Sequence, residues 1–113
     1  MIEFLALIFV KHYIVDFVMQ TDAMVKGKAI YGNKDGILHS AQHAIGTFII
    51  AALLIQNPLY WLILPVFDFV THYHIDWVKM NYGNRDITNP KFWNHLGLDQ
   101  LAHYLTYLLM VTL

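Results

Sequence analysis

The sequence has no cysteine and few charged side chains for its length. Its 113 residues include 7 Lys or Arg and 8 Asp or Glu, or 13% of the chain, which is roughly half the share in a soluble domain. Without cysteine the chain forms neither a disulfide framework nor a thiolate metal site. A formal net charge of −1 leaves no basic surface for a nucleic-acid backbone, so nucleic acid is excluded as a partner.

What the sequence has instead is hydrophobic residues, which make up 58% of the chain, and 7 His. A soluble protein this small is mostly surface, and this chain has too few charged residues to cover such a surface. Four apolar stretches approach the ~20 residues that a helix needs to cross a bilayer. They predict an all-α protein, a four-helix transmembrane bundle with up-down-up-down topology. Residues 1–113 would form a single polytopic membrane domain with helices over about residues 2–20, 37–56, 59–79 and 92–113.

The basic residues predict how this bundle is oriented. All except Lys11 lie in or beside the first and third connections: Lys26, Lys28 and Lys34, then Lys79, Arg85 and Lys91. The N-terminal tip, the turn at 56–58 and the C-terminus have none. The positive-inside rule then places both long connections in the cytoplasm and both termini outside it.

Each predicted helix carries polar residues four positions apart, mostly His and Asp. Since four residues turn a helix by about 400°, each set lies on a single face. The up-down-up-down connectivity would bring all four sets to one depth, nearer the cytoplasmic side. The sets are His12, Asp16 and Gln20; His39 and His43; Asp68, His72 and Asp76; and His95, Asp99 and His103.

Burying such groups in lipid is expensive, because a central Asp costs about 2.5–3.5 kcal/mol on insertion scales. A divalent cation bound by neutral imidazoles and carboxylates would compensate this cost. The sequence therefore predicts a divalent metal, foremost Zn²⁺, with Mn²⁺, Fe²⁺ or Ni²⁺ as alternatives. The converging groups fit either one ion with orienting carboxylates or, slightly better, a site for two ions. The predicted ligands are His12, His39, His43, Asp68, His72, Asp76 and His103, whereas His74 points to another face and is expected not to be one.

Two other interpretations of the four sets stay open. His–Asp pairs can hydrogen-bond across helices, with a contribution of about 0.6–2 kcal/mol each. Asp and His inside a membrane also form proton relays and ion pathways.

Ordered motifs extend over nearly the whole chain: His12, Asp16, Phe17, Gln20 and Asp22; Leu38, His39 and His43; His72, Asp76 and Lys79; and Asp99, Gln100 and His103. Together they resemble a known family, the small inner-membrane proteins of bacteria and phages grouped as domain of unknown function 3307. The resemblance implies a multi-pass protein of the bacterial inner membrane. More loosely, the chain is similar to predicted membrane-bound metal-dependent hydrolases, which also place H-x3-D and H-x3-H on helices.

Two functions of different classes follow. The first is a metal-dependent hydrolase whose ion activates water against a lipid or lipid-phosphate substrate from the membrane. In it Asp16 or Asp99 would be the general base. The second function is non-catalytic: an ion- or proton-conducting or transporter-like homo-oligomer, or a small phage membrane effector with a structural metal. The residues predicted to hold a substrate are Gln20, Lys79 and Gln100.

Overall fold

Five α-helices and one π-helical turn account for most of the chain, which confirms the all-α class. The computed structural model describes all 113 residues. The π-helical turn, Ile14–Val18, follows directly on the first α-helix. The α-helices are α1 (Ile2–Tyr13), α2 (Asp22–Gly27), α3 (Lys34–Leu54), α4 (Tyr60–Tyr82) and α5 (Pro90–Thr112).

Short polar side chains begin three of these helices. The side chains of Asn33 and Asn89 each accept a hydrogen bond from the amide two residues later, at the starts of α3 and α5. Thr21 accepts one from the amide three residues later, at the start of α2. Each bond satisfies one of the amides that a helix N-terminus leaves unpaired. Pro90 occupies the first turn of α5, where an amide donor is not needed.

The four predicted helices are present with shifted ends. The first is regular only to Tyr13, and the π-helical turn then carries it to Val18 rather than to 20. The third and fourth, α4 and α5, run over 60–82 and 90–112, because capping residues and turns set their ends. The sequence did not predict α2, which lies within the first connection.

The transmembrane character of all four long helices is not confirmed. Only α3 is both long and apolar enough to cross a membrane by length and composition. The regular part of α1 is 12 residues long. In α4 and α5 the polar sets lower the hydropathy of helices that are 23 residues long.

The four long helices pack in a ring in which α3 contacts α1 and α4, and α5 contacts α4 and α1. The start of α4 meets the end of α5, where the Tyr60 hydroxyl donates to the Leu113 carbonyl oxygen at 3.0 Å. It also meets the end of α3, where Trp61 Nε1 donates to the Ile55 carbonyl oxygen at 2.7 Å. Neighbouring helices are therefore antiparallel. The apolar core fills this end of the bundle and consists of Phe4, Ile8, Ile50, Ala51, Leu64, Tyr107 and Met110.

The rest of the interior is polar, and much of the outer surface is apolar. Only 27 of 113 residues are buried, and polar or charged residues outnumber apolar ones among them. Large apolar side chains are exposed on every long helix, for example Ile2 at 82%, Leu53 at 74% and Leu62 at 66%. This distribution is the reverse of that in a soluble protein, where charged residues are almost never fully buried unless paired.

The segment that contains α2 folds back against α3. A Cβ atom on Gly36 would lie 2.9 Å from the Gly27 carbonyl oxygen, so glycine is needed for this close approach. The loop after α2 is held by Tyr73 of α4, whose hydroxyl accepts from the Gly32 amide at 2.6 Å. This fold-back places Lys28 among the buried residues.

Candidate metal centre

His or Asp side chains from the polar sets of all four long helices meet at one level inside the bundle, beyond the apolar core. The antiparallel packing brings the second half of α1 and α4 beside the first half of α3 and α5. His39, His43, His72 and His103 are each 1% exposed or less. Their imidazoles stack, with ring centroids 3.6 Å apart for His43 and His72 and 4.1 Å apart for His72 and His103.

The first group of possible ligands is Asp16, His39, His43 and His72, whose ligand atoms all lie within 4.8 Å of one another. Asp16 Oδ1 is 2.7 Å from His43 Nε2, 3.0 Å from His39 Nε2 and 3.6 Å from His72 Nε2. Ligand atoms that bind Zn²⁺ tetrahedrally at about 2.0–2.1 Å are separated from one another by about 3.3 Å. The spacing of this group therefore suits the coordination of a single ion.

The second group is His72, Asp76 and His103. Asp76 Oδ2 lies 3.1 Å from His72 Nε2, and Asp76 Oδ1 lies 3.1 Å from His103 Nε2. The two groups share His72, and an imidazole nitrogen has one lone pair to offer. His72 Nε2 therefore serves an ion in one group or in the other.

Several atoms of these groups are buried without a hydrogen-bond partner. Within the groups they include His39 Nε2, His72 Nε2 and Asp76 Oδ2, and beside the second group Asp99 Oδ1 is also unpaired. His39 Nε2 lies 3.0 Å from Asp16 Oδ1 and His72 Nε2 lies 3.1 Å from Asp76 Oδ2, but these contacts lack the direction of a hydrogen bond. A buried unpaired polar atom costs about 1–3 kcal/mol, so several that converge on one place fit a site for a cation. Imidazole and carboxylate donors suit a divalent transition metal.

Asp68, a predicted ligand, belongs to neither group. Lys11 Nζ donates to Asp68 Oδ2 at 2.8 Å, and the Thr47 hydroxyl donates to the same oxygen at 2.5 Å. Lys11 Nζ also lies 3.0 Å from His43 Nδ1. The structure therefore places Asp68 beside the two groups, as the charge partner of Lys11, which joins it to the candidate ligand His43.

His12 and Gln100 form hydrogen bonds with each other and with further buried side chains. His12 Nδ1 lies 2.7 Å from the Tyr107 hydroxyl, and His12 Nε2 lies 2.7 Å from Gln100 Oε1. Gln100 Nε2 then donates to Asp99 Oδ2 at 3.0 Å. Because Gln100 Oε1 can only accept, His12 donates through Nε2 and accepts from Tyr107 through Nδ1. The structure places His12 outside both ligand groups and Gln100 between buried side chains.

The two predicted general bases lie in different surroundings. Asp16 sits among the imidazoles of the first group, which suits a ligand better than a free base. Asp99 Oδ1 has no hydrogen bond, lies 3.4 Å from His103 Nε2, and faces the second group. Gln20 donates to the Asp16 carbonyl oxygen at 2.9 Å, and the structure does not bring its side chain into the ligand groups.

The remaining histidines lie outside the cluster. His74 is exposed, and its ring contacts the Tyr31 hydroxyl and the Val70 carbonyl oxygen at 2.9 and 2.7 Å. His95 Nδ1 accepts from the Asn84 amide at 2.8 Å and so joins α5 to the preceding loop.

A cavity of about 440 Å³ opens between α4 and α5 beside the second group. Asp99 belongs both to this cavity and to the polar cluster, and Lys79, a predicted substrate-binding residue, lies at the cavity wall. Apart from these residues the wall is largely apolar. The lining residues are His74, Ile75, Val78, Lys79, Tyr82, Gly83, His95, Leu98, Asp99 and Ala102.

The sequence analysis did not predict that two lysines are buried, and it counted Lys28 among the basic residues that set the orientation. The side chains of Lys11 and Lys28 are 6% and 7% exposed. The signal for Lys11 was present, because a lysine inside an apolar span usually faces the interior and finds a partner. No local signal marked Lys28, whose position depends on the fold-back of α2.

The comparisons with known proteins give a family. The family model described as protein of unknown function (DUF3307) matches residues 4–113. The chain belongs to this family. No curated protein and no solved structure matches it. The resemblance found in the ordered motifs is thus confirmed, and the description of the family states no activity.

We expect Lys11→Met to destabilise the protein strongly, because it leaves Asp68 buried without its charge partner. Breaking a buried pair in this way typically costs about 3–5 kcal/mol. Adding Asp68→Asn should recover most of the loss, since the double variant buries no unpaired charge. Chemical unfolding of the purified variants in detergent measures both effects.

The Asp68→Asn single variant also tests whether Asp68 is a metal ligand. It should bind a metal ion as the wild type does, because Asp68 lies outside both groups. A folded Asp68→Asn protein that had lost its ion would restore Asp68 as a ligand.

Proposed function

We propose that this chain is an integral membrane protein that binds one divalent metal ion inside its bundle. In this proposal the ion serves to hydrolyse a lipid or lipid-phosphate substrate that enters from the membrane. The observation that carries the proposal is the convergence of imidazole and carboxylate atoms, several of them buried without hydrogen bonds.

The distribution of polarity supports the membrane location. The outer surface exposes large apolar side chains along all long helices, and the interior holds four Asp and two Lys. The longest dimension of the molecule, 45 Å, matches the ~40–45 Å of a bilayer with its headgroup regions. The polar sets that reduce the hydropathy of α4 and α5 lie inside, away from lipid. A lipid-facing exterior is therefore compatible with helices whose average composition is only moderately apolar.

The balance of buried charge supports one ion rather than two. Four Asp and two Lys are buried, so two negative charges have no buried positive partner when the histidines are neutral. One divalent cation would neutralise them, whereas two would leave an excess of positive charge in a medium that penalises it. The two groups share His72, which can bind an ion in only one of them, and this also favours a single ion.

The second group fits a catalytic ion better than the first. With four protein ligands the first group would close a tetrahedral sphere, which is typical of structural sites. The three ligands of the second group would leave a position open for water and substrate, as catalytic sites do. A divalent ion there would activate water and polarise a carbonyl or phosphoryl oxygen. Asp99 is within reach as general base, and its cavity between α4 and α5 provides a lateral entrance for a lipid.

One observation favours a different function, proton transfer along buried groups. A continuous series of hydrogen bonds crosses the bundle and links Tyr107, His12, Gln100 and Asp99. Such a series could serve a proton-conducting protein, which with so few helices would work as a homo-oligomer. It would need no tightly bound metal, and this difference separates the two functions.

We expect the purified protein to contain close to one divalent ion per chain after mild chelation. His72→Ala should remove it, because His72 contributes to both groups. Elemental analysis by mass spectrometry measures the content and identifies the metal.

The matched control is His74→Ala, two residues along the same helix but exposed and outside the cluster. It should retain the ion. A wild-type protein without metal, or a folded His72→Ala variant that keeps a full ion, would overturn the proposal.

Asp99→Asn should retain the ion and lose hydrolysis. A positioned general base contributes about 10²–10⁴-fold to a rate, so kcat should fall by a factor in that range. The assay compares phosphatidic acid with diacylglycerol, an ester lipid without phosphate, in vesicles that contain the metal-loaded protein. Absence of hydrolysis of both lipids by the loaded wild type would contradict the catalytic part and favour a structural metal.

Membrane topology is tested with a reporter that is active only outside the cytoplasm. Fused after Asn57, in the turn between α3 and α4, it should be active because this turn lies at the end without basic residues. Fused after Gly83, in the loop between α4 and α5, it should be inactive. The reverse pattern would overturn the orientation, and activity at neither position would count against a multi-pass protein.

A further inference from the structure

Lys28 belongs to the loop after α2, yet its side chain lies inside the bundle. The nearest charged atom to Lys28 Nζ is Asp76 Oδ2, at 3.4 Å. This separation exceeds the 2.7–2.9 Å that is usual for a charge-assisted hydrogen bond. The ammonium group is therefore near a carboxylate of the second group without being closely paired to it.

The other buried lysine shows what close pairing looks like in this protein. Lys11 Nζ lies 2.8 Å from Asp68 Oδ2 and 3.0 Å from His43 Nδ1. Lys28 Nζ makes no hydrogen bond within the chain, although an ammonium group has three donors. Its donors remain free for an acceptor from outside the chain.

The backbone holds Lys28 in this position. Before it, Gly27 packs directly on Gly36 of α3. After it, Asn81 Nδ2 of α4 donates to the Ala29 carbonyl oxygen at 3.0 Å. Farther along the loop, the Gly32 amide donates to the Tyr73 hydroxyl. An ammonium fixed in this way is pre-organised for a ligand, because little conformational freedom is lost on binding.

The ammonium also lies close to the proposed ion. An ion bound by Asp76 Oδ2 at about 2.0–2.2 Å would lie within about 5.6 Å of Lys28 Nζ, given the separation of 3.4 Å. A ligand with several oxygens on one centre can bridge such a gap. A phosphate group presents three strong acceptor oxygens, whereas the carbonyl of an ester or amide presents one.

We propose that Lys28 is a substrate-binding residue and that the site takes a ligand with a phosphate group, held between the ion and this ammonium. The inference rests on the proposed function and narrows its substrate class from lipids in general to phosphate-bearing ones. The same chemistry recognises the headgroup of a lipid phosphate or free inorganic phosphate.

The test measures phosphate binding to the metal-loaded protein in two arms. In the first arm inorganic phosphate is titrated into protein in neutral detergent and followed by calorimetry. In the second arm phosphatidic acid is titrated in phosphatidylcholine nanodiscs, with diacylglycerol as the neutral counterpart. Binding in both arms indicates recognition of phosphate itself, and binding of phosphatidic acid alone indicates a lipid headgroup.

Lys28→Met should weaken phosphate binding in the positive arm by about tenfold or more, the usual effect of losing a hydrogen bond to a charged group. Its metal content should stay at the wild-type level, because an ammonium beside Asp76 repels a cation. Lys26→Met is the matched control, since Lys26 lies in the same segment and is exposed; it should bind phosphate as the wild type does. Lys28→Arg keeps the positive charge and should retain most of the affinity for phosphate. If Lys28→Met fails to fold, loss of phosphate binding by a folded, metal-loaded Lys28→Arg would still contradict the inference.

The outcomes distinguish this inference from the function on which it rests. Metal-loaded Lys28→Met that binds phosphate as the wild type does would overturn the inference alone, even if its unfolding midpoint falls, and so would a loaded wild type that binds neither probe. A wild-type protein without metal would overturn the proposed function and the inference together.

Discussion

The structure depends on the compensation of buried negative charge. Four Asp lie in the interior of a bundle whose only buried ammonium groups are those of Lys11 and Lys28. An isolated carboxylate in a medium of low dielectric constant carries a penalty of several kcal/mol. That cost rivals the whole stability of a small domain, about 5–15 kcal/mol. The imidazoles supply lone pairs and no charge when neutral, so a cation held by these His and Asp groups would compensate the negative charge.

The antiparallel ring of helices makes this compensation geometrically available. Spacing of four residues puts two or three polar side chains on one face of each helix. Alternation of direction then places these faces at one level, below an apolar layer that contains Leu64 and Tyr107. Lys11 and Asp68 lie at the boundary of the two layers, where the Lys11 ammonium also sits 5.0 Å above the Tyr107 ring. The polar level is thereby closed at the end that holds the apolar core.

The sequence predicts the features that depend on helical periodicity. It does not predict the roles of individual side chains that depend on tertiary contacts. Four long helices and the shared depth of their polar faces follow from the four-residue spacing and the turn residues between them. The role of Asp68 does not follow, because its spacing from His72 is the same as that of Asp76. Only the approach of Lys11 from α1 distinguishes the two carboxylates.

His12 and Lys28 show the same limit in two further ways. His12 has the spacing of a ligand, but both its nitrogens are used by Tyr107 and Gln100 from a helix that is remote in sequence. Lys28 looks like a charge of a connecting loop, and it enters the interior only because α2 folds back over Gly36. No pattern within one helix carries this information.

The composition of the cluster indicates whether a metal ion would be structural or catalytic. A structural metal site needs four ligands, and the first group already supplies them: Asp16, His39, His43 and His72. His103 and Asp99 would then be buried beyond what stability requires, as would the loosely paired Asp76 and Lys28. Each such group adds a desolvation cost that a protein selected for stability alone has no reason to keep. These groups lie beside the cavity between α4 and α5, and the proposed function accounts for them if the site binds a second molecule as well as an ion.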